Sequence, residues 1–171
     1  MTAFRTLTPS SLDRDAFIAA FADIYEHSPW VAQRVFDQGP SSELDQVEGL
    51  HQRMSAVLQA ASHAEQLALI NAHPDLAGKA AVRGELTESS TAEQAGAGIH
   101  QCTPEEFARF TALNHAYKAR FAFPFIMAVR GSDRQQILAA FETRLHNDAD
   151  SEFREALKQI DRIALLRLSQ L

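Results

Sequence analysis

Apolar residues recur at helical spacing along almost the whole chain, and this feature limits the possible folds more than any other. Phe17, Ala20, Phe21 and Ile24 lie on one face of a helix, and Ile160, Ile163, Ala164 and Leu168 repeat the pattern near the other end. Hardly any stretch shows the strict apolar–polar alternation of a half-buried strand. The expected fold is all-α. With 171 residues, long enough to bury a proper core, the chain is expected to form a single compact domain of seven or eight helices over residues 1–171. No internal repeat or Gly/Pro/Ser-rich linker divides it.

Helix starts carry cap signals. Ser10 or Ser11 stands before the first helix, Ser41 or Ser42 before the second, and Ser62 before "HAEQLALINA", each able to accept from an orphan backbone N–H. The strongest is Thr103 in "TPEE", with Pro104 at the first helical position and Glu106 three residues past the cap. Later helices are expected from about Asp133 to His146 and about Ser151 to Leu168, joined by the polar "HNDAD". "Glu26-His27-Ser28-Pro29-Trp30" reads as a helix end with an aromatic anchor.

Charge and cysteine content exclude several classes. The formal net charge is -6 with both signs interspersed. No run of Lys or Arg is available to neutralise a row of phosphates, so nucleic acid is not an expected partner. Cys102 is the only cysteine, which rules out an intrachain disulfide and fits a reducing compartment. "MTAFRTLTPSSLDRDAF" lacks the basic start and apolar core of a signal peptide, and no stretch approaches the ~18 apolar residues of a membrane span. The chain is therefore expected to be cytoplasmic, with no membrane association. The final "SQL" differs from the peroxisomal SKL by lacking its positive charge.

Three stretches offer chemistry. "LINAHPDLAGKAA" (69–81) ends an apolar helix-like run on His73, broken at once by Pro74. A helix C-terminus favours a protonated imidazole, and Pro74 fixes the chain direction. His73 is thus either an aimed acid, base or anion anchor or simply a polar helix stop. "TESSTAEQAGAG" (87–98), if helical from about Ser90, puts Ser90, Glu93 and Gln94 on one face. Ser90 and Glu93 also make a capping box, but a cap does not call for Gln94. The three together could bind a ligand rich in N–H and C=O groups. "FAFPFIMAVRG" (121–131) is an apolar run interrupted by Pro124, which pushes Phe123 to extended geometry and should end a helix nearby. It is either a buried connector or a wall that delivers Arg130 to an anionic or hydrogen-bonding partner.

Other chemistry lacks support. The seven histidines include no H-E-x-x-H pattern, and Glu142 with His146 offers too few ligands, so no metal site is expected. There is no G-x-S-x-G, G-x-G-x-x-G or P-loop sequence.

The blocks "YEHSPWVA" (25–32), "HPDLAGKAA" (73–81), "LTESSTAEQAGAG" (86–98), "LNHAYKARFAFPFIMAVRG" (113–131) and "ILAAFETRLHNDADSEFREALKQIDRIALLRL" (137–168) together resemble the OHCU decarboxylases of urate breakdown. These act on 2-oxo-4-hydroxy-4-carboxy-5-ureidoimidazoline. The resemblance covers nearly the whole chain. It implies an all-α fold, no cofactor, a homodimer, and conversion of OHCU to (S)-allantoin with loss of carbon dioxide. It places the catalytic histidine on His73, with Pro74 beside it, and the S-x-x-E-Q motif on Ser90, Glu93 and Gln94, with Glu93 also catalytic. It places the arginine after "FPFI" on Arg130, with the backbone near Phe125 and Ile126 lining the pocket. Relatives' "YKxKF" and "FGFPF" stand here as "YKARF" and "FAFPF", through Arg120 and Ala122, away from the site positions. Two rivals remain at this stage. One is a helical binding domain without chemistry, which composition allows equally; the other is a ring hydrolase, which would need an activated water.

Overall fold

The structure, a computed structural model, describes residues 1–78 and 83–171. Among these residues are eight α-helices: α1 (Arg14–Phe21), α2 (Trp30–Asp37), α3 (Val47–Ala60), α4 (His63–Ala72), α5 (Glu88–Gly96), α6 (Pro104–Phe121), α7 (Arg134–Arg144) and α8 (Ala149–Leu168). Three short 3-10 turns accompany them, and extended pairing among the described residues is one isolated bridge between Ala3 and Gln46. The all-α expectation is borne out. The last residues of the "HPDLAGKAA" block, Lys79 to Ala81, lie outside the described residues.

The cap chemistry of the sequence decides most boundaries, though not always through the expected residue. Thr103 accepts from the Glu106 N–H at 3.1 Å while Glu106 accepts from the Thr103 N–H at 3.1 Å. This reciprocal box starts the 18-residue α6. Ser62 and Glu65 make the same exchange ahead of α4. The first helix, however, is capped by Asp13, which accepts from Ala16, because Pro9–Ser11 is taken up in a 3-10 turn. Ser41 likewise caps the 3-10 turn Ser42–Asp45, and α3 follows it. The second helix is instead α2. Its start is the Glu26–Trp30 segment, since Pro29, with no N–H to lose, sits where a helix begins. Asp148 caps α8, so Ala149 and Asp150 of the "HNDAD" connector are already helical. Thr103→Ala is expected to lower stability by about 1 kcal/mol, the usual value of such a cap, read from urea unfolding midpoints.

The helices gather into two compact units, one formed by Met1–Ala72 with Ile160–Leu171 and the other by His73–Gln159. In the first, Phe4, Phe17 and Phe21 pack ring against ring, and Leu50, Met54, Leu58 and Ile70 are fully buried, each adding roughly 1.5–3 kcal/mol of apolar burial. Gly49 is required by close approach: a Cβ there would come within 2.1 Å of the Glu43 carbonyl oxygen. Asp161 gathers polar groups of this unit, accepting from Tyr25 at 2.7 Å and Ser55 at 2.8 Å. Burial, then the Asp161 charge, raises the Tyr25 pKa well above that of a free phenol. Ile160, Ile163, Ala164 and Leu168 are all buried in the unit's own core.

The second unit is built around aromatic side chains. Phe125 stacks on Phe141 with centroids 3.9 Å apart, and Tyr117 meets both rings edge-on at 5.5 and 5.8 Å, a favoured arrangement for aromatic quadrupoles. Helix α6 ends at Phe121, and Ala122 stops it in the left-handed conformation (φ 61°). The segment 123–129 then runs without helix as a buried strap, as the Pro124 signal predicts.

Candidate functional site

All eight residues singled out from the sequence belong to the second unit. His73 is the first residue after α4 and is 9% exposed. The loop that follows is tight. Ala77 adopts φ 51°, a left-handed conformation that a side chain disfavours by about 1 kcal/mol or more. A Cβ at Gly78 would come within 2.7 Å of the Asp75 Cβ. Strain of this kind persists only where neighbours hold the backbone in place, and three side chains do so here.

Gln94 is the first of these. Its Oε1 accepts from the Ala77 N–H at 3.1 Å and its Nε2 donates to the Asp75 carbonyl at 3.2 Å. Asn114 of α6 donates to the Leu76 carbonyl at 2.9 Å, and Lys118, one turn on, pairs with the Asp75 carboxylate at 2.6 Å. Helices α5 and α6 thus grip the loop on consecutive residues. The loop thus engages two of the four hydrogen bonds that the Gln94 amide can make.

Helix α5 starts earlier than the sequence reading placed it. Thr87 is the cap, accepting from the Ser90 N–H at 3.2 Å, and Glu88 is the first helical residue. Ser90 is therefore inside the first turn and 5% exposed. Its pairing with Glu93 as a capping box is overturned, because a box needs the serine outside the helix. That removes the capping box as the explanation for Ser90 and Glu93. With Gln94 they still share a face at i, i+3 and i+4; Ser90 and Gln94 are buried and Glu93 half-buried. None of His73, Ser90 and Glu93 is free of a partner.

The strap behaves differently from the expectation about Arg130. Arg130 is exposed, in the turn with Gly131 that closes the strap, so it is not the arginine held against the apolar wall. That arginine is Arg144, from the last turn of α7. Its guanidinium lies 4.4 Å over the Phe125 ring, and Nη1 donates to the Ile126 carbonyl at 2.6 Å. Its Nε donates to the Glu152 carboxylate at 2.9 and 3.1 Å. The Glu152 side chain is fully buried and that of Arg144 is 12% exposed. Phe125 and Ile126 are buried. Pro74 is half-buried.

A cavity of about 490 Å³ runs beside α5, with Thr91, Gln94 and Ala95 on one wall and Ile99, His100 and Phe107 among the others. His73, Ser90, Glu93 and Arg130 are not part of its lining. Among the described residues no group of three or more His, Cys, Asp or Glu side chains is placed to hold a metal ion.

Comparison with known proteins gives a consistent picture. The family described as OHCU decarboxylase matches residues 10–169. The 2-oxo-4-hydroxy-4-carboxy-5-ureidoimidazoline decarboxylase of Haloferax volcanii is 42% identical over 159 residues, covering 93% of this chain and 90% of its own. The protein of the same name from Halalkalicoccus jeotgali is 40% identical over 171 residues, covering 100% and 93%. Among solved structures, the crystal structure of (S)-allantoin synthase superposes with a TM-score of 0.74 at 30% identity. That match covers 95% of this chain and about half, 52%, of the other.

Proposed function

Because the chain belongs to the OHCU decarboxylase family, we propose that it is a carboxy-lyase that converts OHCU to (S)-allantoin and carbon dioxide in urate breakdown, without an added cofactor. The observation that carries this reading to particular residues is the pair of Gln94 hydrogen bonds to Asp75 and Ala77. They fasten the helix bearing Ser90 and Glu93 to the strained loop that begins at His73.

The substrate carries a carboxylate and a hydroxyl on one ring carbon, beside a carbon doubly bonded to nitrogen. When the bond to the carboxylate breaks, its electron pair forms a C=C bond and the C=N pair moves onto nitrogen, which takes a proton. The product is an enol. Loss of the hydroxyl proton and protonation of the neighbouring carbon on one face give allantoin and its stereocentre. The ring is its own electron sink, the part a pyridoxal or thiamine group plays elsewhere.

The protein's tasks are then to orient the ring, keep the departing carboxylate out of its plane and manage protons. His73 takes the hydroxyl proton. Glu93 accepts N–H bonds from the ureido arm or ring, and Ser90 completes the polar match. Gln94 holds the loop while its remaining N–H faces the ligand. Arg130, exposed on its turn, draws an anionic substrate to a chain of net charge -6, and the backbone at Phe125 and Ile126 closes the site beside Pro74. The final proton comes from His73 or Glu93.

Ser90 and Glu93 are tested by substitution. Glu93→Ala is expected to weaken binding and turnover together by about tenfold or more, as for a lost charged hydrogen bond, and Ser90→Ala by less. Steady-state kinetics with OHCU generated in situ checks this; equal, small effects would count against the assignment.

The single-domain reading is kept in this proposal. One family match spans residues 10–169, and the first unit draws on both ends of the chain. Cytoplasmic location and a homodimer belong to the proposal too, the latter resting on family resemblance and checked by light scattering. Among the described residues no helix is long and apolar enough to cross a membrane.

A further inference from the structure

We infer that Arg144 is a positioning residue for the decarboxylation: it fixes the Ile126 carbonyl, and with it the strap that carries Phe125, Ile126 and Arg130. The inference rests on the function proposed above. Its basis is the way Arg144 is held. Arginine in the last turn of a helix ordinarily extends into solvent toward the free carbonyls. Arg144 instead turns inward, its guanidinium plane lying over the Phe125 ring while Nε is fixed by Glu152. Nη1 is thereby aimed at one strap carbonyl, at 2.6 Å.

A second tie reaches the strap two residues on. Gln159 accepts from the Ala128 N–H at 3.0 Å, and its own amide is held by Glu155. The strap has no helical hydrogen bonds of its own, so side chains of α7 and α8 define its path.

The arrangement is costlier than stability alone requires. Arg144 Nη2 and the Tyr117 hydroxyl are both buried without a well-formed hydrogen bond. Burial, and after it the Glu152 charge, raise the Tyr117 pKa, while the Arg144 charge opposes them. A buried ion pair with unsatisfied donors is often no more stable than an apolar replacement. Here the pair holds a backbone carbonyl in place, a task no apolar pair can perform.

Three variants separate positioning from stability. Arg144→Lys keeps the charge beside Glu152 but lacks the planar fork that also reaches Ile126. At a temperature where circular dichroism shows it folded, kcat is expected to fall roughly 10–100-fold, the scale of a sub-ångström to ångström misplacement. KM should move by much less. Arg134→Lys makes the same change in an arginine that also bridges a carboxylate and a backbone carbonyl, Glu106 at 2.9 Å and Gly98 at 3.0 Å, outside the strap, and should lose stability with kcat and KM unchanged. The double variant Arg144→Met, Glu152→Leu replaces the pair by apolar groups. Its melting temperature should stand above that of Arg144→Lys while kcat stays low.

Wild-type kcat and KM in Arg144→Lys, or a kcat that recovers with melting temperature in the double variant, would overturn the positioning role alone. A wild-type protein that leaves OHCU decaying at its spontaneous rate would overturn the proposed function and this role with it.

Discussion

A His73→Asn protein should leave OHCU decaying no faster than it does in buffer, while still binding it. Removing a positioned proton acceptor costs about 10²–10⁴-fold in rate, and here it removes the group that accepts a hydrogen bond from the hydroxyl as the carboxylate leaves and then takes its proton. Asparagine keeps a polar, planar side chain of similar reach but cannot accept and return a proton at neutral pH. The surrounding loop should survive, since its ties run through Gln94, Asn114 and Lys118 to residues 75–77. The measurement is a single turnover. OHCU made in situ from urate is mixed with excess protein, and its ultraviolet decay is followed alongside the circular dichroism of the product. Wild-type protein should give rapid decay and one-handed allantoin; the variant, slow decay and a racemic product. Near wild-type turnover by the variant would remove the histidine from the mechanism and leave Glu93 as the only proton carrier among the residues assigned.

The parts of this site that were legible in the sequence are those set by local rules. Pro74 after His73 and Pro124 after Phe123 each end a helix for covalent reasons, and both helices end there. The "TPEE" box is local in the same sense. The start of α5 is ambiguous in the sequence because Thr87 and Ser90 lie three residues apart and each has the letters of a cap. Starting at Thr87 puts Ser90 and Gln94 on the buried side of the first turns, and tertiary burial outweighed the box.

Arg144 is legible only indirectly. In "FETRLHND" it has the place of an ordinary solvated cation at a helix end. Only the strap, 18 residues back, and Glu152, 8 residues on, give it a buried role. Arg130 is exposed for the matching reason: following an apolar wall in sequence says nothing of which arginine leans on that wall. A weak signal existed in Glu152, an acidic residue amid the core-facing spacing of α8. Its full burial demands a cation, and Arg144 supplies it.

The other buried pair gives the largest stability effect expected of this chain. Arg167 donates from Nη1 to Glu26 at 2.8 Å and to the carbonyls of Asp23 and Ile24 at 3.3 and 3.4 Å. The side chains are 6% and 1% exposed. Arg167→Met preserves most of the apolar stem but takes the cation from a buried carboxylate and a donor from two carbonyls. Breaking such a pair on one side costs about 3–5 kcal/mol, and for a chain of this size each kcal/mol lowers the melting temperature by about 2–4 °C. A fall on the order of 10 °C follows. Melting curves of both proteins at neutral pH test it. A fall within the ~2–4 °C of a single kcal/mol would mean that the Arg167–Glu26 pair contributes no more than an exposed one.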